Sequence, residues 1–175
     1  MEHRILKKIS EETISKKVEE IAQNISADYK DKEPVLIGIL NGCFIFMADL
    51  IRKISIPLEL DFVRLASYGS NSASSGRIRL TKDVELLIEG KPVIIVEDII
   101  DTGLTLSYLI KHIEKKTPES IKVCTLINKV ERRHKEVVID YRGFDLKEGF
   151  LVGYGLDYGE NYRYLPYILS LKIED

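Results

Sequence analysis

Residues 93–106 read VIIVEDIIDTGLTL. Four β-branched residues in succession predict a strand buried on both faces, and such strands belong to parallel sheets covered by helices. Directly behind them stand Glu97 and Asp98, then Asp101, Thr102, Gly103 and Thr105, and then an apolar pattern at helical spacing. A chain built around this segment must bury the strand and still find partners for the acids at its end, because an unpaired carboxylate beside a core is costly.

The flanking sequence repeats the alternation. Residues 10–30 place Ile14, Val18, Ile21, Ala22 and Ile25 at helical spacing, with Ser10 or Glu11 at the start. PVLIGIL (34–40) predicts a buried strand. Residues 41–54 predict a helix whose apolar face carries Phe44, Met47, Ala48 and Ile51. Residues 58–68 predict a strand, 69–76 (GSNSASSG) a polar mobile loop, and 77–92 a strand and a turn. Residues 104–116 predict a helix buried through Leu106, Leu109, Ile110 and Ile113, and 120–129 and 136–144 predict two more strands. The tail from residue 150 mixes short strands with Gly, Tyr and charged residues. Neither a repeat nor a linker divides the 175 residues, so one α/β domain with a parallel-sheet core is expected. Ligands of such folds gather at the carboxyl ends of the strands, where residues 97–105 lie.

That position gives the loop its chemistry. A helix N-terminus offers unpaired N–H groups and a partial positive charge, which suits a phosphate. Gly103 admits close backbone approach, and Thr102 and Thr105 add hydroxyl donors. Acids would repel a phosphate unless they serve another partner. Ribose hydroxyls can donate to Glu97 and Asp98, and Mg2+ can bridge sugar, diphosphate and protein. Asp101, at the mouth of the loop, is placed to exchange a proton with a bound base. Taken singly, Asp101 also suits a helix cap, and Glu97 and Asp98 suit solvated strand-end acids. No G-x-x-x-x-G-K-[ST] run occurs, which excludes a Walker-type site, and an acidic receiver pair would stand nearer the N-terminus.

EDIIDTGLT resembles the phosphoribosyl-diphosphate signature of the purine phosphoribosyltransferases, and its wording is similar to the hypoxanthine-guanine branch. ILNGCFIFMADL (39–50) resembles that family's diphosphate loop, LASYG (65–69) the start of its lid, Asn128-Lys129 its purine-reading lysine, and FLVGYGLDYGENYRYLPYI (150–168) its purine-binding tail. These motifs span residues 35–168 in order. The resemblance implies a type I phosphoribosyltransferase fold: a parallel-sheet core over about 34–140 and a small hood from about 1–33 and 141–175. It implies that Glu97 and Asp98 hold the ribose hydroxyls and support Mg2+. Asp101 faces N7 of the purine as acid/base, and Thr102, Gly103, Leu104 and Thr105 cradle the 5-phosphate. Leu40, Asn41 and Gly42 bind diphosphate with a cis peptide before Asn41. The family often has lysine at position 41, so one charge contact is absent here. Ser67 and Tyr68 begin a lid running to Arg77. Lys129 donates to the 6-oxo group, Phe150 stacks on the ring, Leu151 offers backbone atoms, Asp157 helps hold a second magnesium and Arg163 contacts diphosphate. Read alone, Phe150 suits a core, Lys129 a solvated loop, and Asp157 with Arg163 a surface pair.

The implied activity is purine salvage: transfer of the 5-phosphoribosyl group from phosphoribosyl diphosphate to N9 of hypoxanthine and guanine, with diphosphate released. A donor-only lysine argues against adenine, while a xanthine preference stays open. The rival reading is a nucleotide-sensing regulator on the same fold. That would need a DNA-binding segment or a basic face; the chain shows no added domain before its first strand, and its net charge is −2. Neither nucleic acid nor membrane is an expected partner; a homodimer or homotetramer is. Cys43 and Cys124 are expected as reduced, buried residues of a cytoplasmic protein. His3, His112 and His134 show no metal spacing and are expected at the surface.

Overall fold

In the computed structural model, residues 4–68, 77–147 and 149–172 are described. The chain runs through β1 (Arg4–Ile9), α1 (Glu11–Asp28), β2 (Val35–Leu40), α2 (Phe44–Lys53), β3 (Glu59–Tyr68) and β4 (Arg77–Lys82). It continues through β5 (Pro92–Ile100), α3 (Leu104–Glu114), β6 (Ser120–Lys129), β7 (Tyr141–Leu146), β8 (Phe150–Val152) and β9 (Ile168–Lys172). Six strands form a sheet in the order β4-β3-β2-β5-β6-β7, parallel except for the antiparallel β3–β4 pair. The β-branched run of β5 sits at its centre, buried on both faces. Ile94 and Val96 join the core that includes α1 and α2; Val93 and Ile95 join the core against α3. The second sheet, β1-β9-β8, is antiparallel and pairs the two ends of the chain.

α1 follows its sequence pattern. The Ser10 side chain accepts from the Thr13 N–H at 3.2 Å, Glu11 and Glu12 stand in the favourable first turn, and Ile14, Val18, Ile21, Ala22 and Ile25 are buried. α2 departs from its pattern. Residues 41–43 form a turn, the helix starts at Phe44, and its buried side is Phe46, Met47 and Leu50. Of the expected face only Met47 is buried: Ile51 is half-buried, Ala48 exposed and Phe44 44% exposed. FIFMADLI is apolar on two sides, so periodicity alone does not select the inner one. The strand expected over 136–144 starts only at Tyr141. Val137 and Ile139 do pack on the core, but from irregular backbone, while Val138 is exposed. His134 is exposed as expected, whereas His112 is half-buried and shares a 2.9 Å hydrogen bond with Asp83; His3 lies outside the described residues. The loop expected at 69–76 also lies outside them.

Candidate active site

β5 delivers its acids to the place where β2 turns into α2. Asp98 is buried, 7% exposed, and Glu97 is half-buried beside it. A Cβ built on Gly42 would collide with the Asp98 carboxylate, so the 40–42 loop lies directly on that acid. The Leu40–Asn41 peptide is cis. Burial, then the neighbouring Asp98 charge, pushes the Glu97 carboxyl well above its usual range. Burial likewise raises Asp98, although hydrogen bonds from Glu97 and the Ile99 N–H, and the Arg163 charge, oppose the rise. Both carboxyls are thus held above their ordinary range, chiefly by burial. Cys43, packed beneath, has its thiol driven up by burial and by both acids.

The next residues form the turn from β5 into α3. Gly103 is the residue before α3, in the left-handed region at φ 77°, and the first helical N–H, that of Leu104, donates to the Thr102 hydroxyl at 3.4 Å. Asp101 is therefore not the cap. The carbonyls of residues 100–102 are all taken from one side. Arg133 Nε donates to the Asp101 carbonyl at 2.8 Å and its Nη2 to the Ile100 carbonyl at 3.2 Å, while the His134 and Lys135 N–H groups both donate to the Thr102 carbonyl at 2.9 Å. In a trans peptide a carbonyl and the following N–H point opposite ways. The N–H groups of Asp101, Thr102 and Gly103 therefore point away from residues 133–135. A cavity of about 150 Å³ adjoins the loop, lined by Glu97, Asp101, Thr102, Gly103 and Thr105 among others and by none of residues 133–135. Larger clefts, of about 570 and 600 Å³, lie elsewhere and contain none of these residues. Asp101 Oδ1 is buried without a hydrogen-bond partner, an acceptor waiting for a donor. Leu104 is 40% exposed on the first helical turn.

The adjacent strand end supplies a donor. Lys129 is 8% exposed, and its ammonium donates to the Gly149 carbonyl at 3.0 Å, with Glu131 at 3.5 Å. It is thus not a solvated loop residue. Gly149 precedes Phe150, which is 38% exposed and meets the Tyr158 ring edge-on at 5.2 Å. Phe150 therefore keeps an accessible face, and Leu151 behind it is buried.

The tail closes back on the 40–42 loop. A Cβ on Gly155 would collide with the Gly42 carbonyl. Arg163 donates to the Gly155 carbonyl at 2.7 Å and pairs with Asp157 at 2.9 Å and Glu160 at 3.2 Å. Among the described residues no three His, Cys, Asp or Glu side chains converge as a metal cage. The loop gathers Glu97, Asp101, Thr102, Gly103 and Thr105. The 40–42 loop, Asp98, Gly155, Asp157 and Arg163 form a second group, and Lys129 and Phe150 a third. Ser67 and Tyr68 are described as backbone only, paired with Ile78 and Arg77. Arg133 escaped the sequence reading, and Asn128, Gly155 and Tyr158, though inside quoted motifs, carried no role of their own there. The basic run VERRHK was the available signal for Arg133, but a charge run ordinarily marks a solvated face.

The phosphoribosyl transferase domain model matches residues 7–159. The hypoxanthine-guanine phosphoribosyltransferase of Bacillus subtilis (strain 168) is 47% identical over 164 residues, 94% of this chain and 91% of that one. The hypoxanthine phosphoribosyltransferase of Salmonella typhimurium is 42% identical over 177 residues, covering 100% and 99%. A crystal structure of a hypoxanthine-guanine phosphoribosyltransferase from Bacillus anthracis, with HEPES in its active site, superposes with a TM-score of 0.89 at 44% identity over 95% of this chain and 99% of that one.

Proposed function

The chain belongs to the phosphoribosyltransferase family, among its hypoxanthine-guanine members, and on that premise we propose that it transfers the 5-phosphoribosyl group of phosphoribosyl diphosphate to N9 of hypoxanthine and guanine. The observation that carries this reading is the 97–105 loop. Its carbonyls are tied away, its N–H groups are left for an anion, acids stand at its rim, and Asp101 holds one unsatisfied buried oxygen.

In this reading the 5-phosphate occupies the cavity, held by backbone N–H groups and by the Thr102 and Thr105 hydroxyls. Glu97 and Asp98 accept from the ribose hydroxyls. The base stacks on Phe150, Lys129 exchanges its Gly149 carbonyl for the 6-oxo group, and Leu151 backbone meets the base edge. N9 forms the new bond to C1 as the bond from C1 to the diphosphate oxygen breaks, through an oxocarbenium-like state. The N7 proton passes to Asp101. Leu40, Asn41 and Gly42 face the diphosphate, and Arg163 offers it a planar fork of donors. The donor set of Glu97, Asp98 and Asp157 is all oxygen, and no cation pairs directly with Glu97 or Asp98 among the described residues, which fits Mg2+ held jointly with substrate oxygens. When bound, Mg2+ would neutralise charge on the departing diphosphate.

The test is release of diphosphate and formation of the nucleotide from hypoxanthine, phosphoribosyl diphosphate and Mg2+, with guanine, xanthine and adenine in competition. Activity with 6-oxopurines and little with adenine is the expected result; no release overturns the reading. Asp101→Asn should lower kcat by roughly 10²-fold, and near-normal turnover would remove Asp101 from the chemistry. Exposed Phe44 and Ala48 on α2 support assembly as a homodimer or homotetramer, measurable by light scattering. The two free, buried thiols fit the reducing cytoplasm.

A further inference from the structure

β5 and β6 are paired up to Ile100 opposite Asn128, and there the ladder stops. Asp101, just past the end of β5, and Lys129, the last residue of β6, are not paired with each other; Lys129 is paired with Leu146 on β7, and among the described residues Asp101 has no such strand partner. Arg133 takes over at this point. Its Nε donates to the Asp101 carbonyl at 2.8 Å. Its Nη2 is shared among the Ile100 carbonyl at 3.2 Å, the Lys129 carbonyl at 3.2 Å and Asn128 Oδ1 at 2.7 Å. Asn128 is itself held by Asp145 on β7 at 2.7 Å. One rigid planar group thus spans both strand ends. A lysine, with a compact ammonium on a flexible stem, could not reproduce this fork.

We infer that Arg133 is a positioning residue that sets the register between Asp101 and Lys129, and with it the fit of a 6-oxopurine between its proton acceptor and its 6-oxo donor. The inference rests on the roles proposed above for those two residues. Arg133 is not part of the lining of the cavity beside the 97–105 loop; it acts through the two backbones and the Asn128 side chain. A misplacement of about 1 Å at such a site can lower turnover by roughly 10²-fold.

The experiment compares Arg133→Lys and Arg133→Ala with the wild type, varying hypoxanthine, adenine and phosphoribosyl diphosphate separately and recording melting curves. For hypoxanthine, kcat/KM should fall about 10- to 100-fold. KM for phosphoribosyl diphosphate should stay within about twofold, and the preference for hypoxanthine over adenine should shrink about tenfold, since discrimination depends on a correctly placed donor. Millimolar guanidinium should restore part of the Arg133→Ala activity, and methylammonium should not. Equal losses for both bases, a change confined to KM for phosphoribosyl diphosphate, unchanged kinetics, or unfolding of both variants would overturn the inference. A wild type that transfers nothing to hypoxanthine would instead overturn the proposed function.

Discussion

A methyl group at position 42 would occupy the space of the Asp98 carboxylate, so the glycine and the acid are two halves of one fitted contact. Their neighbour Glu97 has the clearest pH consequence. Its carboxyl is held well above the ordinary 4.5 by burial and then by Asp98. As pH rises from that ordinary value towards the raised one, the unfolded chain has released a proton that the native protein still holds. Stability therefore falls with pH across this window and is greatest below it. Glu97→Gln should flatten that decline and raise Tm at pH 7.5 by about 2–4 °C, the shift expected for roughly 1 kcal/mol in a domain of this size. Scanning calorimetry from pH 5 to 8 checks it; an unchanged slope would show that the acid is already compensated. The four-residue β-branched run and the acids behind it were legible from residue types alone. The raised range of the Glu97 carboxyl was not, because it depends on how deeply the fold buries it beside Asp98.

Among the elements, the junction of β5 and α3 depends on the segment after β6. Gly103 lies at φ 77°, and a Cβ there would strike the Lys135 carbonyl, a backbone atom with little freedom to yield. Gly103→Ala should therefore destabilise the protein by about 1–3 kcal/mol. It should also weaken binding of a sugar 5-phosphate by at least about tenfold, the equivalent of 1.4 kcal/mol. Ribose 5-phosphate titration by calorimetry measures this, and wild-type affinity would show that the loop tolerates the shift. The motif around Gly103 was readable as a strand-to-helix turn with the residue types proposed to hold a phosphate. Its clamp was not: residues 131–135 show no periodicity, and their hydrogen bonds to Ile100, Asp101 and Thr102 link chain segments about thirty residues apart. Residues 136–140 follow that clamp as irregular backbone, and pairing with β6 begins only at Tyr141, opposite Cys124.

At the scale of the molecule, the base side of the proposed site hangs on a sheet made from the two ends of the chain. Among the described residues β8, which carries Phe150 and Leu151, pairs with β9 alone, and β9 pairs in turn with β1. A chain ending at residue 167 should keep its six-stranded sheet but raise KM for hypoxanthine at least about tenfold, as loss of uniform base binding requires. Steady-state kinetics and circular dichroism separate the two effects, and an unchanged KM would detach β8 from base binding. β1 was absent from the sequence reading because RILKKI is charged and weakly alternating; pairing with distant β9 stabilises it as a strand. The sequence by itself determined the α/β class, the buried central strand, the buried face of α1 and the turn from β5 into α3 that carries the residues proposed for the site. Those follow from side-chain type and spacing, which are local properties of the chain. Only the tertiary structure decided which side of α2 faces inward, where β7 begins, how Gly42 and Gly155 bring the loops together, and that Arg133 joins the ends of β5 and β6. Each depends on which distant segment arrives at a given surface, and close packing and hydrogen-bond satisfaction between segments leave no trace in the period of either one.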